Sequence, residues 1–118
     1  MTRRHFVLLF GMAMFLPGAA AAANAMQPVH VTIHDHAFEP RTIHVKVGQE
    51  IIWTNTDQDP HTVTSGGNNV DDNRWVSSAL IPDGKTFTLR LSAPGTYPYF
   101  CKPHQFEESM HGVIIVSQ

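Results

Sequence analysis

The sequence predicts an all-β fold, in which short strands form a sandwich or a barrel. Apolar and polar residues alternate with a period of two in several short segments, which is typical of strands with one buried face. No window of useful length shows apolar residues at helical spacing. Turn-forming residues separate the segments, and six or more short strands of this kind indicate an antiparallel sandwich or barrel.

The predicted strands follow one another at short intervals. They cover residues 29–33, 42–47, 51–53, 86–91, 96–101 and 113–116. The run Ile51-Ile52-Trp53 is continuously apolar, which indicates a more buried strand than its neighbours. Pro98 cannot donate a ladder hydrogen bond, so we expect an edge position or a bulge there. Residues 65–74 form the longest polar loop, and the sequence does not place the Trp75 that follows it.

Residues 1–25 have the layout of a secretory signal peptide. Arg3 and Arg4 precede an apolar run from Phe6 to Leu16, and Ala23-Asn24-Ala25 is a small-x-small cleavage site. A run of this length is too short to span a bilayer, which needs about 20 apolar residues. We therefore expect a mature domain over residues 26–118 in the periplasm, exported by either the Sec or the twin-arginine route and free of the membrane once the signal is removed.

Composition narrows the function of residues 26–118. This segment is long enough for one hydrophobic core and too short for two. Its six Lys and Arg against ten Asp and Glu give a net charge of −4, which argues against nucleic acid as a partner. Cys101 is the only cysteine, so it cannot form a disulfide within the chain. A lone thiol in an oxidising compartment is buried and inert, joined to another chain, or bound to a ligand.

A set of metal-ligand residue types concentrates near the C-terminal end. Cys101 and His104 are three residues apart after a predicted strand, and a tight turn there brings thiolate and imidazole to one point. Met110 follows, and His61 after a buried strand and a polar turn is the candidate second imidazole. Two His, one Cys and a weak axial Met define a blue-copper electron-transfer site. A buried structural cysteine and a core methionine are the plainer interpretations of Cys101 and Met110.

Five segments, in this order, carry a family resemblance. They are Phe38-Glu39-Pro40, the strand of residues 47–55, Pro60-His61-Thr62-Val63, residues 95–104 and residues 110–116. Together they resemble the cupredoxin family, and within it the plastocyanin, amicyanin and pseudoazurin group. The resemblance implies a Greek-key cupredoxin-like β-sandwich of about seven or eight strands. It also implies one copper ion per chain, cycling between Cu(I) and Cu(II), with His61, Cys101, His104 and Met110 as ligands.

One spacing departs from that group. Five residues separate His104 from Met110, whereas the resemblance implies four or fewer. If the longer loop draws Met110 away, the ion is three-coordinate or meets another donor of the loop. The candidates for that donor are Glu107, Glu108 and His111.

The resemblance implies a small exported one-electron carrier that is monomeric, is not an enzyme and meets redox proteins, basic cytochromes among them. Its electron port is expected at an edge of His104, within an apolar patch of Pro103 and Phe106. Acidic residues in nearby loops are expected to rim that end: Asp57, Asp59, Glu107 and Glu108. Donors near Thr62 and Asn55 are expected to orient the ligand loops. A copper carrier or storage protein and a catalytic copper enzyme are the alternatives.

The remaining aromatic and imidazole side chains are given structural roles. We expect a sandwich core that includes Trp53, Phe87, Tyr97 and Tyr99. The other histidines are interpreted as surface or hydrogen-bonded residues: His30, His34, His36, His44 and His111. A second metal site at His34 and His36 is the less favoured interpretation.

Overall fold

The computed structural model describes residues 26–118 and Gly11, so the predicted signal peptide lies outside the described residues apart from Gly11. The described chain folds into eight strands. They are β1 (Val29–Ile33), β2 (Phe38–Glu39), β3 (Thr42–Lys46), β4 (Ile51–Asn55), β5 (Thr64–Ser65), β6 (Thr86–Leu89), β7 (Gly95–Phe100) and β8 (His111–Ser117). Two single 3-10 turns, Lys102–His104 and Glu108–Met110, lie between β7 and β8. Within the described part of the chain, no helix is long and apolar enough to cross a membrane.

The strands form two four-stranded sheets, ordered β2-β1-β4-β6 and β3-β8-β7-β5. This confirms the predicted all-β sandwich of about seven or eight strands. The pairing is mixed, however, because β1 runs parallel to β4 and β3 runs parallel to β8. The wholly antiparallel expectation was therefore wrong. The chain crosses to the second sheet for β3 before it returns for β4, so β1 and β4 meet in the same direction.

The core lies between the two sheets. The alternation seen in the sequence sets it, because Ile43 and Val45 of β3 are buried while their neighbours are exposed. Trp53 of β4 and Tyr99 of β7 are fully buried and meet edge to face, with ring centroids 5.5 Å apart. Such aromatic contacts contribute about 0.5–1.5 kcal/mol beyond their buried area. They join the two sheets directly behind the end at which Cys101 lies.

The structure corrects the predicted position of Pro98 and places Trp75, which the sequence did not. Pro98 lies in β7, an inner strand, so the edge position was wrong; its carbonyl accepts the N–H of Gly66 just past the short β5. Trp75 is buried in the core, and its indole N–H donates to the Val63 carbonyl. The long polar loop is thus tied to the sandwich at its end.

Candidate metal centre

Three donor atoms converge at one end of the sandwich. Cys101 Sγ lies 3.6 Å from His61 Nδ1 and 3.4 Å from His104 Nδ1, and the two Nδ1 atoms are 3.1 Å apart. Metal–ligand bonds of about 2.0–2.3 Å place neighbouring donors roughly 3–4 Å apart. The three side chains could therefore hold one ion without moving far.

The three donor residues lie on different segments of the chain. His61 follows the turn after β4, and its backbone exchanges two hydrogen bonds with Ile81. Cys101 comes directly after β7, and His104 closes the 3-10 turn that begins one residue later. The N–H of His104 donates to the Cys101 carbonyl at 3.2 Å, which draws both side chains to the same side. The tight turn predicted between Cys101 and His104 is present.

Met110 ends the second 3-10 turn, immediately before β8. Its side chain is fully buried, and its carbonyl accepts the Cys101 N–H at 3.1 Å. The other candidate donors of this loop make contacts elsewhere. Glu107 bonds to His36, Glu108 pairs with Arg41, and His111 Nε2 donates to the Gln105 carbonyl.

Backbone and side-chain donors fix the thiol and the loop around it. The Thr62 N–H donates to Cys101 Sγ at 3.4 Å, and the Thr62 hydroxyl accepts the Lys102 N–H at 2.9 Å. Asn55 is fully buried, and its amide donates to the carbonyls of Asp59 and Ile81. Thr62 and Asn55 thus lie where the sequence placed the orienting donors.

The outer nitrogen of His61 has a carboxylate partner. His61 Nε2 donates to Asp57 Oδ2 at 2.8 Å, which leaves Nδ1 as the lone-pair nitrogen facing Cys101. A metal-ligating histidine commonly has such a partner, which fixes its tautomer and ring orientation. Sequence reasoning placed Asp57 only at the rim and missed this bond. Its spacing of four residues from His61 is the signal that was available.

Burial and hydrogen bonds set the ionisation of these groups. Burial raises the pKa of the Cys101 thiol and lowers the pKa of His61. Burial also acts to raise the pKa of Asp57, but the backbone N–H groups of His36 and Asp35, together with His61, outweigh it and lower that pKa. Asp57 is therefore a carboxylate and His61 a neutral imidazole at pH 7.

His36 also lies at this end, which the sequence did not predict. Its ring centroid is 4.3 Å from that of His104 and 5.1 Å from that of His61. Its nitrogens bond to Asp59 and Glu107. The hydrogen bond to Asp59 is the main cause of its raised pKa, with Glu107 adding to it against the effect of burial. His36 is hydrogen-bonded, as expected from the sequence, but its ring also contacts two of the candidate metal ligands.

Comparisons with known proteins show which sequences and folds this chain resembles. A family model described as a cupredoxin-like domain matches residues 6–116. Amicyanin-alpha of Methylorubrum extorquens is 32% identical over 122 residues, which cover 96% of this chain and 98% of that protein. Chloroplastic plastocyanin of Hordeum vulgare is 33% identical over 97 residues, covering 78% of this chain and 61% of that protein. A solved copper(I) amicyanin variant is similar with a TM-score of 0.66 and 30% identity, covering 82% and 89% of the two chains.

Proposed function

Because this chain belongs to the cupredoxin family, we propose that it is a small exported blue copper protein that carries one electron at a time between redox partners. Its cofactor is copper, with one ion per chain. When bound, copper supplies a centre that gains and returns one electron as it alternates between Cu(II) and Cu(I). The proposed ligands are His61, Cys101, His104 and, as the weak axial donor, Met110.

One observation carries the proposal. His61 lies 40 residues from Cys101 in the chain, yet their donor atoms and that of His104 lie within 3.1–3.6 Å of one another. Soft thiolate combined with two imidazoles is the donor set that suits copper in an electron-transfer site. All three donors project from one end of a packed sandwich, which holds them in place before and after an electron arrives.

The residues of the chain supply rigidity and a path for the electron. Thr62 makes two hydrogen bonds that join the His61 segment to the Cys101 segment, so these hydrogen bonds restrict movement of one segment relative to the other. Small ligand movement between oxidation states favours rapid electron exchange. His104 is half-buried beside exposed Pro103 and Phe106, which supports its imidazole edge as the electron port.

The test is copper titration of the chain beginning near Met26. The wild type should develop an intense visible thiolate-to-copper band and a reversible one-electron potential. Cys101→Ser should abolish the band, because no thiolate remains. His44→Ala is the matched control, since His44 is exposed on β3 and should leave the band unchanged. A copper-loaded wild type without such a band would refute the proposal.

The partners that we propose are redox proteins, basic cytochromes among them, which the chain meets as a monomer in the periplasm. An acidic rim, defined by the exposed carboxylates Asp59, Glu107 and Glu108, lies in the loops around the metal centre, whereas Asp57 is largely buried against His61. Complementary charge mainly accelerates encounter. Export predicts that the mass of the mature protein corresponds to a chain that starts near Met26. Replacement of Arg3 and Arg4 by Lys should block export by the twin-arginine route and leave export by the Sec route intact.

A copper carrier or storage protein is the alternative function. The ligand set separates the two functions only in part, because copper carriers commonly have methionine-rich or open sites, so the deciding measurement is kinetic. A carrier releases copper to an acceptor protein and shows slow electron exchange, whereas an electron carrier keeps copper through many turnovers. We propose no enzymatic role, because the relatives that cover most of this chain are named amicyanin and plastocyanin.

A further inference from the structure

The connection between β1 and β2 is a two-residue turn with left-handed backbone at both positions. Asp35 and His36 have φ of 51° and 53°, and His34 and Ala37 exchange two backbone hydrogen bonds of 3.0 Å across them. Two-residue hairpin loops with positive φ at both positions favour glycine, asparagine and aspartate. A histidine there is strained relative to a relaxed backbone conformation. Strain of this kind concentrates at functional sites, which directs attention to what the His36 side chain does.

The His36 ring joins two loops. Its Nε2 bonds to Asp59 Oδ2 at 2.8 Å, in the turn that leads to His61, and its Nδ1 bonds to Glu107 Oε2 at 3.0 Å, in the loop between His104 and Met110. The backbone carbonyl of His36 also accepts the hydroxyl of Ser109 in that second loop. Because both ring nitrogens are engaged by carboxylates, the ring connects the two loops.

The turn that carries His36 is attached to His61 through Asp57. The N–H of Asp35 donates to Asp57 Oδ1 at 2.7 Å, and the N–H of His36 donates to Asp57 Oδ2 at 2.9 Å. The same Oδ2 accepts a hydrogen bond from His61 Nε2. One carboxylate therefore fixes the left-handed turn and orients the His61 ring together.

We propose that His36 is a positioning residue for the copper site. It packs against His104 and His61 and bridges the two loops that bear them, so that both imidazoles are held in place before copper arrives. This inference rests on the proposed copper ligands. Residues that orient metal-ligating histidines change metal affinity about 10- to 100-fold when they are removed.

The experiment compares His36→Gly with Asp35→Gly. Both variants place glycine at a left-handed position of the same turn, where glycine is free of backbone strain, so both should fold. The Asp35 side chain is 87% exposed and pairs only with neighbouring His34, so its removal leaves the loop bridge intact. Any difference between the two variants therefore reports the His36 ring.

Two measurements are made on the full mature chain. In the copper-free protein, amide hydrogen exchange over residues 105–109 should quicken about tenfold or more in His36→Gly and stay at the wild-type rate in Asp35→Gly. In the copper(I) protein, a chelator should extract the metal about 10- to 100-fold faster from His36→Gly only. Equal rates in the two variants would overturn the positioning role.

The two proposals fail differently. If the wild type lacks the thiolate-to-copper band, the blue-copper function fails, whereas exchange in the copper-free protein still tests the His36 bridge. If the band is present in all three proteins and both rates match between the variants, the bridge fails and the function stands.

Discussion

Two roles are proposed for Met110, core packing and axial copper ligation, and substitution can separate them. Its side chain is fully buried at the base of β8, beside Cys101. Truncation of such a methionine to alanine removes its apolar contacts and leaves a cavity, at a cost of about 2–5 kcal/mol. For a domain of this size each kcal/mol lowers Tm by about 4–8 °C. Met110→Ala should therefore lower the Tm of the copper-free protein by about 8–40 °C.

Met110→Leu keeps most of the side-chain volume and removes the sulfur. Its cost should stay below about 1.5 kcal/mol. An axial sulfur tunes the reduction potential of a blue copper site. The leucine variant should therefore shift the potential and the electron-spin spectrum while folding almost normally.

The assays are thermal unfolding of the copper-free variants and voltammetry of the copper-loaded ones. An unchanged potential and spectrum in Met110→Leu would refute the axial assignment and leave Met110 as a core residue. A loss of less than about 1 kcal/mol in copper-free Met110→Ala would instead contradict the packing argument.

Three other predictions follow from the geometry and charge of the site. A Cβ at Gly112 would overlap the buried Tyr99 ring, so Gly112→Ala should cost about 1–3 kcal/mol by denaturant unfolding; Gly67→Ala, where a Cβ has ordinary contacts, is the control and should cost little. Copper binding must displace the Cys101 proton, because burial raises that pKa. The logarithm of copper affinity should therefore fall by about one or more per pH unit as pH drops from 8 to 6, and a flat profile would mean a preformed thiolate. The second-order rate constant for electron transfer with a basic cytochrome should fall as salt concentration rises, because screening weakens attraction to the acidic rim. A rate constant that does not change with ionic strength would contradict this.

The strands and the tight turn between Cys101 and His104 were within reach of the sequence for local reasons. Alternation at Ile43 and Val45 follows directly from a half-buried strand, and the buried pattern of β3 matches it. The Cys101–His104 spacing is a property of one short turn. Both are encoded within a few neighbouring residues, which is the range over which sequence patterns are informative.

What the sequence did not predict depends on contacts between distant segments. The parallel pairing of β1 with β4 follows from a crossover that no local pattern records. The contact of His36 with the metal centre requires three loops to approach one another. Glu107, one of the partners of His36, lies 71 residues further along the chain. Trp75 likewise acquires its place only when its indole meets the Val63 carbonyl.

The parallel pairing of β3 with β8 bears on the order in which this protein matures. These two strands are adjacent in space but are made about 70 residues apart, and β8 separates β3 from β7. Contacts of such long range slow folding, because the chain between them must be ordered first. The second sheet, and with it the Cys101 loop, therefore assembles only after residues 111–117 have been synthesised. The three proposed copper ligands are consequently brought to one point only when almost all of the described strands are available to pair.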